Sequence, residues 1–235
     1  MKINVIVPIL KNEHFERITY KEFKGAARSD TEISVVSLNK GPASIESMYD
    51  DYIASPWILE KVKKAEKEGH DAVIIDCMGD PALNAARELV NIPVIGPCQA
   101  SMALAYVVSE KFSVVTVLKR VIPMFDRLAK VYGFTEKLAS VRSIEIPVLE
   151  LEKEDVAKAA LLEESKKAID CDGVDAIILG CTGMIGMAKG LQNALGISVI
   201  DPAIASLKLA ESLVDMKISH SKTVYPSPPE KLRIF

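Results

Sequence analysis

The 235-residue chain is 49% hydrophobic and 26% charged, which excludes a disordered or collagen-like protein. Its 29 Lys and Arg against 32 Asp and Glu give a net charge of −3, without the basic excess of a nucleic-acid-binding protein. A chain of this length can bury a large core, as one α/β domain or two small ones.

The pattern alternates strands and helices from the first residues. Lys2 to Pro8 reads as a buried strand, Glu13 to Ala27 as a helix and Glu32 to Leu38 as a second strand. Asn39 to Ile53 is a polar connection marked by Gly41 and Pro42, long enough to suggest function. Ser55-Pro56 predicts a helix start, with proline at the first helical position, and the helix runs to Lys67. Ala72 to Asp76 is a strand, Pro81 to Val90 a helix, Pro93 to Ile95 a short strand and Gln99 to Ser109 a helix. The order then recurs. Strands are expected at Phe112 to Leu118, Val141 to Ile146, Asp175 to Leu179 and Ser198 to Ile200. Helices are expected at Met124 to Tyr132, Glu154 to Ile169, Met184 to Leu195 and Ala203 to Val214, before an extended tail. Alternating βα units imply parallel sheets flanked by helices, with ligands beyond the carboxyl ends of the strands.

Leu89 to Ser109 carries no charge, but Asn91, Pro93, Gly96 and Pro97 break it into strand, turn and helix, so no membrane span is expected. No export signal precedes the first strand, and the four cysteines form no CxxC pair. The expectation is a reduced, cytoplasmic protein.

An internal repeat organises the rest. At an offset of 104, Gly69, Asp71, Ala72, Ile74, Cys77 and Gly79 coincide with Gly173, Asp175, Ala176, Ile178, Cys181 and Gly183. At an offset of 105, Val94, Ile95, Pro97, Ala100 and Ser101 coincide with Val199, Ile200, Pro202, Ala205 and Ser206. Two pseudo-symmetric Rossmann-like α/β lobes follow, one at 1–96 plus 206–235 and the other at 97–205, with the active site in the cleft between them. Cys77 and Cys181 each end a buried strand before a glycine turn. An approximate two-fold axis would aim both thiols at one point from opposite sides. Two such bases can invert a carbon bearing an acidic hydrogen without a cofactor, one as thiolate and one as thiol. Helix N-termini following the turns would favour the thiolate and hold a developing oxyanion.

These residues resemble the aspartate/glutamate racemase superfamily, and more closely its hydantoin racemase branch, which includes allantoin racemases. Gly41-Pro42-Ala43-Ser44-Ile45-Glu46 is similar to that branch's GPxSIE segment, Cys77-Met78-Gly79-Asp80-Pro81 to its CFGDP motif, and Gly180-Cys181-Thr182-Gly183-Met184 to its GCAGM motif. Val114-Val115-Thr116 is similar to its second-lobe strand. The resemblance implies a cofactor-independent racemase in which Cys77 and Cys181 are the acid and base. It implies that backbone amides around Met78, Gly79, Asp80, Thr182 and Gly183 bind ring carbonyls, and that Pro8, Ser44, Ile45 and Thr116 line the pocket. Two departures are visible. Val7-Pro8-Ile9-Leu10 replaces an NPNT-like stretch, and Met78 replaces an aromatic residue, so a more apolar pocket is implied.

A free amino-acid racemase, a one-cysteine decarboxylase or isomerase, a cysteine hydrolase and a non-catalytic two-lobed binding protein are the competing readings. Paired thiols favour the racemase. His14, His70 and His220 are scattered, so no metal site is expected, and neither a Walker A nor a GxGxxG motif supports nucleotide binding. Cys98 and Cys171 read as structural, Asp80 as either a hydrogen-bond partner near the Cys77 thiol or a helix N-cap, and Trp57 as a packing anchor or interface residue. The expected partner is a small-molecule substrate, with no nucleic acid or membrane, and Trp57 with apolar helix starts points to a homo-oligomer.

Overall fold

A computed structural model describes residues 1–233; the last two residues of the span expected for the first lobe, 234 and 235, lie outside the described residues. The first half contains β1 (Lys2–Leu10), α1 (Glu13–Ala26), β2 (Glu32–Leu38), α2 (Met48–Lys67), β3 (Ala72–Ile75), α3 (Leu83–Leu89), β4 (Val94–Ile95) and α4 (Pro97–Val108). The second contains β5 (Phe112–Thr116), α5 (Ile122–Tyr132), β6 (Leu138–Ser143), α6 (Glu154–Asp172), β7 (Ala176–Leu179), α7 (Ala188–Leu195), β8 (Ser198–Ile200) and α8 (Pro202–Asp215). They form two four-stranded sheets, ordered β2-β1-β3-β4 and β6-β5-β7-β8, and every strand pair is parallel. The two expected α/β lobes are therefore present, and β3 and β7 occupy the same place in each.

The all-apolar runs Ala72–Ile75 and Ala176–Leu179 are fully buried because helices cover both faces of each sheet. The last helix of each half crosses to the other sheet. Helix α4 packs on β7 and β8, α8 packs on β3 and β4, and the two helices pack on each other. Thus Met102 and Ala105 of α4 join the core of Val114, Ile177 and Leu179, while Leu207 and Ala210 of α8 join that of Ile3, Val5 and Ile74.

The repeated aspartates have a local explanation. Asp71 accepts from the Lys2 amide, and Asp175 accepts from the Glu110 and Lys111 amides, so each anchors the start of its lobe's central strand. Beyond α8 the chain returns over the first lobe. Lys222 Nζ donates to the carbonyls of Arg87, Glu88 and Val90 at the end of α3, where a cation meets the negative end of the helix. His220, in contact with Val94, is pushed down to about 4, first by burial and then by Arg87.

Several local expectations are corrected. Helix α2 begins at Ser47, whose hydroxyl accepts from the Asp50 amide while Asp50 accepts from the Glu46 amide. Pro56 therefore lies inside the helix. The carbonyl it leaves without an amide belongs to exposed Tyr52, where solvent can satisfy it, and the neighbouring Asp51 carbonyl accepts the Ser55 hydroxyl. Strand β6 sits earlier than Val141 to Ile146, at Leu138–Ser143. Helices α3 and α7 start later than expected, at Leu83 and Ala188. Asp80 is a cap, but for a helix distant in sequence. Its carboxylate accepts from the Cys98 and Gln99 amides of α4 and from the Tyr132 hydroxyl of α5. The N-cap of α4 is Gly96, and any side chain there would overlap the Asp80 carboxylate. Its counterpart Asp201 caps α8 in the ordinary way, accepting from Ala203 and Ile204.

Candidate active site

A cleft with about 490 Å³ of empty space, part of it open to solvent, lies between the carboxyl ends of the two sheets. Cys77 follows β3 and Cys181 follows β7, and both line this cleft. Each thiol receives one turn amide: Gly79 N–H at 3.4 Å from Cys77 Sγ, and Gly183 N–H at 3.3 Å from Cys181 Sγ. The repeat thus produces matching thiol sites on opposite lobes. The delayed starts of α3 and α7 correct one expectation. Neither thiol sits at a regular helix N-terminus, so a single amide does the work expected of a helix dipole. Burial dominates: Cys181 is pushed up to about 12, with the Gly183 amide opposing and Asp76 reinforcing, and Cys77 is pushed higher still. Burial thus favours the neutral thiol at both positions. All four cysteines are free.

Of the other residues singled out in the sequence, Pro8, Ile45, Thr182 and Gly183 line the cleft. Pro8 sits where the β1–β2 register breaks after Val7, a position where its missing amide costs no ladder bond. Gly79 touches the site through its amide. Packing claims the side chains of three others. Met78 is buried in the second lobe's core, Asp80 is occupied in capping α4, and Thr116 is fully buried with its hydroxyl donating to the Gly180 carbonyl at 3.1 Å. None of the three lines the cleft. Ser44 is half-buried beside Ile45 but is likewise outside the lining.

The sequence reading missed Phe15 and Thr19 on α1, Asp76 at the end of β3, and Val148 and Ile185 from the second lobe. The signal for the α1 pair was the i, i+4 spacing of Phe15, Thr19 and Phe23, which are its buried residues. Contacts across the cleft surround the thiols. The Thr182 hydroxyl donates to the Asp76 carbonyl, the Val148 amide to Glu46, and the Gly186 amide to Glu22.

Gly180, just before Cys181, is fixed by a close approach. A Cβ there would lie 2.6 Å from Thr116 Cα and 2.9 Å from the Val115 carbonyl oxygen. Gly180→Ala must push β7 from β5, at a cost of about 1–3 kcal/mol. Thermal unfolding followed by circular dichroism should show a melting point lowered by roughly 2–12 °C. An unchanged melting point would mean that the strands part freely at this position.

Such a molecule is a two-lobed parallel α/β protein that presents one thiol from each lobe to a shared cleft. The sequence profile of the Asp/Glu/Hydantoin racemase family matches residues 12–210, and the chain belongs to that family. It is 43% identical over 232 residues to a hydantoin racemase of Pseudomonas sp. (strain NS671), covering 98% of this chain and 93% of that protein. The allantoin racemase from Klebsiella pneumoniae superposes with a TM-score of 0.94 at 36% identity, covering 98% of this chain and 95% of that one. Allantoin racemase from Pseudomonas fluorescens gives a TM-score of 0.95 at 30% identity over 100% of both chains. No helix among the described residues is long and apolar enough to cross a membrane.

Proposed function

We propose that the protein is a cofactor-independent racemase of 5-substituted hydantoins in which Cys77 and Cys181 transfer the proton. The observation that carries this reading is the pair of thiols lining one cleft, each from an equivalent strand end and each facing a turn amide. One cysteine, as thiolate, removes the hydrogen of the ring carbon from one face. The electron pair passes into the adjacent carbonyl as an enolate. The opposite cysteine, as thiol, delivers a proton to the other face, and the two exchange protonation states. The enolate oxygen needs hydrogen-bond donors, and in this reading the turn backbones after each cysteine supply them. A one-cysteine decarboxylation leaves the second thiol without a task.

The cleft also favours one kind of substituent. Val7, Ile9, Phe15, Ile45, Val148 and Ile185 give it an apolar wall, so the preferred hydantoins carry hydrocarbon side chains rather than the ureido group of allantoin. Reduced thiols support a cytoplasmic setting, and exposed Tyr49 and Tyr52 on α2 support a homo-oligomer.

The test is solvent exchange. In heavy water, single enantiomers of benzylhydantoin and isobutylhydantoin should lose the ring-carbon proton signal by NMR as their optical rotation decays, and faster than allantoin does. Exchange confined to aspartate or glutamate would make the protein an amino-acid racemase instead. Exchange of none of these substrates would reject racemase chemistry.

A further inference from the structure

The repeat is broken at the residue before each cysteine. In the second lobe that residue is Gly180, where no side chain fits; in the first it is Asp76. Asp76 is among the residues that line the cleft, next to Cys77, and it is only 6% exposed. Its Oδ1 atom is buried and has no hydrogen-bond partner among the described residues. A buried carboxyl oxygen without a donor is costly and calls for an explanation. No cation is among the groups that bear on its charge. The ionisable groups that bear on Asp76 are Asp201, Glu22 and Cys181, all acids, and the Thr182 hydroxyl is the neighbouring donor.

A hydantoin ring carries two kinds of polar edge, carbonyl oxygens and N–H groups. The amides of the cysteine turns can serve only the carbonyls. An N–H needs an acceptor, and the end of β1 offers the cleft only Val7, Pro8 and Ile9 side chains. Asp76 is the carboxylic acid among the described residues that line the cleft.

We propose that Asp76 is a substrate-binding and specificity-determining residue whose free carboxyl oxygen accepts an N–H of the hydantoin ring. The role rests on the reading of the protein as a hydantoin racemase and assigns it a ring-recognition contact. The bond orients the ring so that its reacting carbon lies between Cys77 and Cys181. A site built around such an acceptor rejects analogues that lack the donor, because their binding leaves the carboxyl unpaired.

The experiment compares wild type, Asp76→Ala and Asp76→Asn on benzylhydantoin and on its two ring-N-methyl isomers, reading kcat and KM separately. Asp76→Ala should raise KM for the parent about 10- to 100-fold, with a smaller change in kcat. Asp76→Asn keeps a carbonyl acceptor and should recover most of that loss. In wild type, one methyl isomer should bind worse than the parent by a similar factor, and Asp76→Ala should add little to that penalty. The proposal is overturned if Asp76→Ala leaves KM unchanged, if mutation and methylation penalties multiply for both isomers, or if wild type accepts both isomers as well as the parent. The wild-type methyl series and Asp76→Asn decide the matter even if the alanine variant does not fold. Normal turnover by wild type with any of these three outcomes rejects the role of Asp76 alone. Absence of turnover of every hydantoin by wild type rejects the racemase reading and this role with it.

Discussion

Cys77→Ser and Cys181→Ser should each abolish racemisation, lowering kcat/KM by a factor on the order of 1,000 or more, since each removes one of two proton carriers. A serine hydroxyl fills the place of the thiol but ionises far less readily. Each single variant keeps one base and should still exchange the ring-carbon hydrogen of one enantiomer with heavy water, and the two variants should prefer opposite enantiomers. Polarimetry and NMR on the same samples separate the two effects. A near-native rate in both directions for either variant would exclude the two-base mechanism, and a shared enantiomer preference would remove the assignment of one cysteine to each face. The pH profile is part of the same expectation. Burial holds both thiols protonated, Cys181 up to about 12. The thiolate fraction in the free enzyme therefore grows about tenfold for each pH unit below that value. In wild type kcat/KM should climb through neutral pH into the alkaline range, with no optimum near 7.

Asp80→Ala should be the most damaging substitution for stability among the residues that border the site without lining it. It removes the shared acceptor of the Cys98 and Gln99 amides and the Tyr132 hydroxyl, and so leaves three donors in a buried pocket. A cost of about 3 kcal/mol follows if the three recover partial solvation. For a chain of this size that is a melting point lower by roughly 6–12 °C. Differential scanning calorimetry measures it directly, and a shift below about 2 °C would show that water replaces the carboxylate without penalty. The sign with pH is also defined. Burial raises the Asp80 carboxyl to about 6, so the folded state holds its proton more tightly than the unfolded chain does. That contribution is full below about 4 and is lost as pH rises through 6. The variant should lack this part of the slope.

Much of the architecture is legible in the chain because its signals are local. The runs Ala72–Ile75 and Ala176–Leu179 are apolar at every position, and only a doubly covered parallel strand uses such a run. The offset pairing of Cys77 with Cys181 carries both thiols to one cleft, because equivalent strand ends in facing lobes point at each other. What local signals do not carry is long-range capping and side-chain direction. Asp80 follows a turn glycine and has the spacing of a cap, but its helix begins at Pro97, brought beside it only by folding. Met78 and Thr116 flank the cleft in sequence and turn away from it in space, because the second lobe's core and the Gly180 carbonyl claim them. Ser55-Pro56 has the form of a helix start, and the stronger Ser47–Asp50 cap about two turns earlier overrides it. Asp76 was hidden for a different reason. An acid at the end of a buried strand contradicts the apolar pattern around it, and a local pattern gives such a residue no role.

The exchange of final helices between the lobes has a consequence for how the molecule is made. The first sheet, β2-β1-β3-β4, is complete once residue 95 has been synthesised, but α8, which covers β3 and β4, ends at Asp215. On the ribosome the first sheet therefore waits, with part of its apolar face bare, until residue 215 has been added. Closing it requires contacts between residues more than a hundred positions apart, such as Ile74 and Leu207. The newborn first half is an adhesive intermediate rather than a finished domain, and chains stalled or truncated before α8 are the ones that chaperones and proteases must handle. The intertwining that joins two half-sites into one cleft thus defers the covering of β3 and β4 to a helix made long after them.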